Sequence, residues 1–208
     1  MEIQLFNRDG DGAGDIMSAV GLLGRGVDFP VWEPLLPFGV KDVAAIVGRD
    51  VLEGLSAFYM SGEIPSEEFP EPTTIVLSYC RKAVAFFTWL KIIPTLDAQH
   101  DVTGRSRRLG ENEKGLTALQ EWKDENNIRS LAYEAVESMI EAMERMSAPF
   151  WTATPKSRQR SGLLIRSKDD FDRFYHIGSH RLFVTLLPII SEVQGAEISP
   201  RTGEISAP

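Results

Sequence analysis

The stretch Thr73–Ser147 constrains this chain more than any other, because it alone is long and regular enough to dictate an architecture. From Ile75 to Ile93 apolar side chains fall on nearly every side of a helix, including Val76, Tyr79, Val84, Phe87 and Trp89. A helix of that kind belongs in the middle of a bundle. Thr73 or Thr74 caps its start, and Pro94 is expected to end it, since proline lacks the amide and crowds the preceding turn. Arg81, Lys82 and Lys91 lie inside the run and exclude a membrane span.

Residues Leu96–Leu109 have another texture. Ala98, His100 and Val102 alternate with polar residues before Thr103-Gly104, which predicts a small β-hairpin. A long helix is then expected over Glu111–Met146. Its second half carries one apolar stripe through Leu131, Ala132, Ala135, Val136, Met139, Ile140, Met143 and Met146. Gly115 and Asn126-Asn127 weaken the first half and favour a kink there.

The flanks are shorter in period. Residues 1–30 are glycine-rich and read as a flexible arm with one short helix at Asp15–Leu23. After Pro30, Pro34 and Pro37, the positions Val40, Val43, Ala44, Val47, Val51, Leu55 and Phe58 recur at helical spacing. Gly48 interrupts that run, and Asp50 with Glu53 reads as a fresh N-cap. One long helix and two short ones in series both satisfy the pattern. Residues 61–72 form an acidic, proline-rich loop.

Beyond Pro149 the expectation is a polar, basic loop over Thr152–Gly162. A short strand at Leu163-Leu164-Ile165 would join the hairpin. Ser167 would cap a helix that turns Phe171, Phe174 and Tyr175 inward. The last helix, His180–Gln194, places Phe183, Leu186, Leu187, Ile190 and Val193 on one face, with Pro188 kinking or restarting it. The predicted fold is therefore mainly α: an irregular helical bundle with one long central helix and a small β-hairpin. Its parts are an arm (1–30), a helical domain (31–194) and a loose tail (195–208).

Composition narrows the function. A net charge of −8 over 208 residues argues against a surface devoted wholly to nucleic acid. The single cysteine, Cys80, permits no disulfide and no thiolate cluster, and its apolar setting makes it a core residue. The first residues lack a basic and an apolar region, so no signal peptide is expected.

Asn7, Asp9, Asp11 and Asp15 are spaced like the oxygen ligands of a calcium loop. Ser18 stands where the bidentate glutamate belongs, and Gly14 where an apolar residue does. A flexible turn explains the same residues. His176 and His180 are four apart, but Gly178-Ser179 between them points to a helix boundary and capping or surface histidines. Gly21-Leu22-Leu23-Gly24-Arg25-Gly26 lacks the ending of a phosphate loop. Asp169-Asp170 suits a helix start.

No catalytic set, cofactor site or metal site assembles from these residues, and no enzyme is predicted. Two basic clusters remain, Arg105, Arg107, Arg108 and Lys156, Arg158, Arg160, Arg166, Lys168. Against an acidic body, Arg105, Arg107, Arg108, Lys156, Arg158 and Arg160 are candidate partner-facing residues. Two rival functions stay open: a calcium- or metal-dependent binding module or small enzyme using Asp9–Asp15, and a nucleic-acid-binding accessory protein using Arg105–Arg108.

The order of elements resembles a known group. It is carried by Ser78-Tyr79-Cys80-Arg81-Lys82-Ala83, Pro94-Thr95-Leu96-Asp97, Val102-Thr103-Gly104, Phe150-Trp151, the run Ser167–Asp172 and the run Arg181–Pro188. Over roughly residues 30–195 this is similar to phage and prophage proteins associated with Bacteroidetes that are thought to act as head–tail connector or adaptor proteins. The resemblance implies a mainly helical subunit of a homo-oligomeric ring beneath the portal. It implies portal and tail or stopper proteins as partners, with neither membrane nor sequence-specific nucleic acid. The implied location is the virion, after assembly in the bacterial host cytoplasm.

Overall fold

The structure, a computed structural model, describes residues 3–10, 12–21, 26–101, 104–107, 116–146 and 149–198. It is mainly helical. In chain order the helices are α1 (Gly14–Val20), α2 (Phe29–Trp32), α3 (Leu36–Val47), α4 (Arg49–Met60) and α5 (Thr73–Asp97). After them come strands β1 (Ala98–Asp101) and β2 (Gly104–Arg107). The remainder is α6 (Ala118–Met146), α7 (Pro149–Thr152), α8 (Pro155–Ser161), α9 (Lys168–Asp172), α10 (His180–Val193) and a π-helical turn, Gln194–Ile198. No helix among the described residues is long and apolar enough to cross a membrane. The chain divides into two compact units: residues 1–43 with 78–136, and residues 44–77 with 137–208.

In the first unit the all-round apolar character of α5 is realised, with every side chain from Ala83 to Phe87 and also Thr88 buried. Ala132 and Val136 of the α6 stripe are buried in the same unit, and so is Ile128 one turn earlier. Trp32 stacks on Trp89 at 5.3 Å, and Phe87 meets Tyr133 edge-on at 5.3 Å. Residues expected to form a flexible arm are partly interior: Leu5, Phe6, Ile16 and Val20 are buried. Cys80 is buried too, and burial pushes its thiol up to about 12, so it is a core side chain and no nucleophile.

Gly39 sets the approach of α3 to α5. A Cβ there would lie 2.2 Å from Thr88 Oγ1 and 2.5 Å from the Val84 carbonyl oxygen. Gly39→Ala is expected to lower stability by about 1–3 kcal/mol through overpacking. Adding Thr88→Ala should recover only part, because the carbonyl stays in place. Urea denaturation at constant m-value reads both.

Pro94 does not end α5, contrary to expectation; the helix runs through it to Asp97. So near the C-terminus a missing amide removes a single ladder bond. Thr95 Oγ1 donates to the Ile92 carbonyl at 2.7 Å in the same turn. The strands pair antiparallel, Ala98 opposite Arg107 and Asp101 opposite Gly104. Residues 102 and 103, expected to carry the turn, lie outside the described residues, as do Glu111–Gly115 of the expected long helix. That helix begins at Ala118 instead. Thr117 and Gln120 form a reciprocal cap: Thr117 N donates to Gln120 Oε1 at 2.9 Å and Gln120 N to Thr117 Oγ1 at 3.4 Å.

In the second unit, Gly48 separates α3 from α4 with φ of 102°, a conformation that favours glycine. Asp50 is not the cap. It sits in the first turn of α4, and Glu53 accepts from Arg49 Nε at 2.8 Å. The core gathers Val51, Leu52, Leu55 and Phe58 of α4 with Met139, Ile140 and Met143 of α6 and Phe183, Val184 and Leu187 of α10. Phe69 anchors the acidic loop through Phe58 at 5.4 Å and Phe150 at 6.0 Å.

Three expectations about this unit fail. The segment 152–162 is no loop: Thr154 Oγ1 accepts from Ser157 N at 3.2 Å and Pro155 opens α8. Leu163–Ile165 is no strand; its backbone is held by Gln194, whose Oε1 accepts from Leu164 N at 2.7 Å and whose Nε2 donates to the Gly162 carbonyl at 2.9 Å. Phe174 and Tyr175 do not turn inward but stand exposed. Only Phe171 packs, edge-on against Phe183 at 6.4 Å.

Candidate functional site

The second basic cluster does not form the open surface expected of it. Thr154 and Pro155 start α8, and the helix carries Lys156 and Arg160 to different internal partners. Arg160 is buried. Its Nη1 donates to Glu144 Oε1 at 2.6 Å, and its guanidinium lies 5.0 Å from the Trp151 ring centroid. Lys156 is half-buried, and its Nζ donates to the carbonyls of Ala45, at 3.1 Å, and Ile46. Those carbonyls lie in the last turn of α3, where a cation satisfies unpaired oxygens and the dipole. Burial lowers the Lys156 ammonium from its ordinary value. Both residues are therefore structural, and Arg158 alone of the three is exposed. Arg105 and Arg107 lie on strand β2. Arg108 lies outside the described residues.

Beside Arg160 runs a polar network that the sequence pattern did not reveal. Glu137, on α6, accepts from Ser179 Oγ at 2.7 Å, from Arg181 N at 3.0 Å and from His180 N. It thus takes up orphan amides at the start of α10, while Ser179 also caps that helix through Leu182 N at 3.1 Å. His180 Nδ1 lies 3.0 Å from Glu137 Oε1, and its Nε2 lies 3.6 Å from Glu144 Oε2. Burial works against ionisation of Glu137, but the bonds from Arg181, Ser179 and His180 outweigh it and hold the carboxyl below its ordinary value. The two carboxylates flank opposite edges of one imidazole. His176 goes elsewhere, 3.6 Å from Asp172. No group of three acidic, histidine or cysteine side chains suited to a metal occurs among the described residues.

The acidic N-terminal loop engages its described side-chain oxygens with the chain itself. Asn7, at φ 58°, accepts from Gly12 N at 2.8 Å through Oδ1. Asp15 accepts from Asn7 N at 3.1 Å and pairs with Arg81 at 2.9 Å. Asp9 pairs with Arg8 at 2.8 Å. Asp11 lies outside the described residues.

The remaining feature is an apolar groove of about 650 Å³ in the second unit. It lies between the 163–165 segment, α9 and α10, with Leu164, Phe171, Phe174, Leu186, Ile189 and Val193 on its walls. Asp172 follows the lining residue Phe171 in α9. Hydrogen bonds from Ile177 N at 2.7 Å and Gly178 N at 3.3 Å, with Lys168 at 3.0 Å, hold its carboxyl at about 2 and tie down the turn that presents Phe174 and Tyr175. A groove of this size lined with aliphatic and aromatic groups can hold apolar ligand or protein. Among the described residues its lining holds no nucleophile–base pair.

Fold and site thus define a mainly helical protein with internal polar networks and an open apolar groove. The chain belongs to a family of unknown function, DUF6712, whose model matches residues 44–161. No curated protein and no solved structure matches it.

Proposed function

We propose that the chain is a structural subunit of a phage head–tail connector or adaptor ring that joins the portal to the tail, and not an enzyme. One observation carries this reading beyond the resemblance: single-sign segments are kept apart on the chain. The acidic loop, with Glu67, Glu68 and Glu71 exposed, belongs to the second unit. The strand β2, bearing Arg105 and Arg107, belongs to the first. Complementary segments in different places suit a head-to-tail contact, and head-to-tail contacts that close give rings. The hairpin is the element that would reach a neighbour, and the helices of each unit supply its framework. Function then resides in the host-assembled virion.

Mass determination and negative-stain microscopy, with and without the portal protein, test this. Closed rings that depart on Arg105→Glu/Arg107→Glu and return when Glu67→Lys/Glu68→Lys is added support it. A chain that stays unassembled on the portal overturns it. Calcium and nucleic acid remain measurable rivals. A melting shift of several degrees with calcium would favour the first, and salt-dependent retention of duplex DNA the second.

A further inference from the structure

We infer that the apolar groove of the second unit is a two-fold docking face for a second copy of this chain, centred on α9 and Phe174. The observation behind it is what α9 and its following turn present outward. Lys168 and Asp172 turn toward the protein and pair with each other at 3.0 Å. Asp169 and Arg173 are the exposed members of two further pairs on the same element, Asp169 with Lys168 at 3.2 Å and Arg173 with Asp170 at 3.5 Å, and they stand 81% and 73% exposed, open to exchange partners with another copy. They are opposite in sign and four residues apart on one helical face, so they share a side. Next to them Phe174 is 83% exposed and Tyr175 also stands clear, both held out by the turn that Asp172 ties.

Such a face is complementary to itself. When two copies of α9 meet antiparallel about a two-fold axis, Asp169 of each faces Arg173 of the other, and each Phe174 reaches the other copy's groove. An interface of this kind is isologous, every contact occurring twice. The local charge permits it. The whole chain carries −8, which opposes self-contact over most of its surface. Residues 163–175 balance Arg166, Lys168 and Arg173 against Asp169, Asp170 and Asp172, and Glu192 and Glu197 beyond them add only a small excess of acid. A strongly cationic or anionic partner would find no matching field on the α9 wall, whereas an identical copy finds its own charges in register. An exposed phenylalanine beside an open apolar groove is the kind of anchor that dominates interfaces. This face neither requires nor forbids the ring contact proposed above, which uses other segments.

Sedimentation of the full chain over a range of concentrations tests the inference. The expected result is a concentration-dependent dimer. Phe174→Asp should weaken it at least about tenfold, and Asp169→Arg and Arg173→Asp should each weaken it by about tenfold, since each reversal puts like charges opposite twice. The double variant Asp169→Arg/Arg173→Asp restores opposite signs and should return most of the affinity. Unchanged far-ultraviolet dichroism checks that every variant folds. A monomer at about 100 μM, a dimer indifferent to these changes or a double variant no better than the singles would overturn the inference. Rings on the portal that persist in Phe174→Asp leave the ring reading standing, so the two proposals fail separately.

Discussion

Arg160→Ala is expected to cost about 3 kcal/mol of stability, the scale for removing one partner of a buried ion pair. The loss has two parts. The Glu144 carboxylate, itself largely buried, loses its 2.6 Å donor, and Trp151 loses the guanidinium 5.0 Å from its ring. Arg158→Ala, two residues away and exposed, should change stability by no more than about 0.5 kcal/mol. Replacing both charges at once, Arg160→Met with Glu144→Leu, should be far milder than Arg160→Ala alone, because no buried charge is left bare. Urea denaturation of the four proteins at pH 7 measures this. Equal effects at Arg158 and Arg160 would refute the internal role of Arg160.

Glu137→Gln should destabilise by about 1–3 kcal/mol at neutral pH, because charged acceptors at a helix start outperform neutral ones. The amide keeps one accepting oxygen where the carboxylate serves Ser179, His180 and Arg181 with two. The pH dependence has a definite sign. The Glu137 carboxyl is held below its ordinary value in the fold. Its contribution is therefore fully present above the unfolded value of about 4.3 and is lost as pH falls through the lower, folded one. The stability gap between the native chain and Glu137→Gln should shrink as pH falls below about 4.5. A gap that stays undiminished at about pH 3 would contradict the geometry.

These two side chains mark where sequence reading stops. Glu137 lies 42 residues from Ser179, and in sequence it looks like one more acidic residue off the apolar stripe of α6. Arg160 looks like a member of a basic run. What makes each internal is a contact between α6 and a distant helix, α10 for Glu137 and α8 for Arg160, which no local spacing encodes. Other misses were readable. Thr154-Pro155 is an N-cap followed by a first-turn proline, and Thr117 with Gln120 is a capping box; both start helices where a loop or a longer helix was expected. Turning Phe174 and Tyr175 inward requires the helix that Ser167 caps to run on through them. The short α9 ends at Asp172, so the periodicity that would have turned them to the core stops before them.

Period and punctuation along the chain were enough to determine the mainly helical class, the buried run of α5, the stripe of α6 and the cap at Ser167. Each depends on residues within a turn or two of one another, and helix formation is governed at that range. Which charges are interior, and which apolar groups are left outside to form a groove, was decided only by tertiary structure. Burial is a property of what lies opposite a side chain, and the opposing groups come from helices far away in sequence.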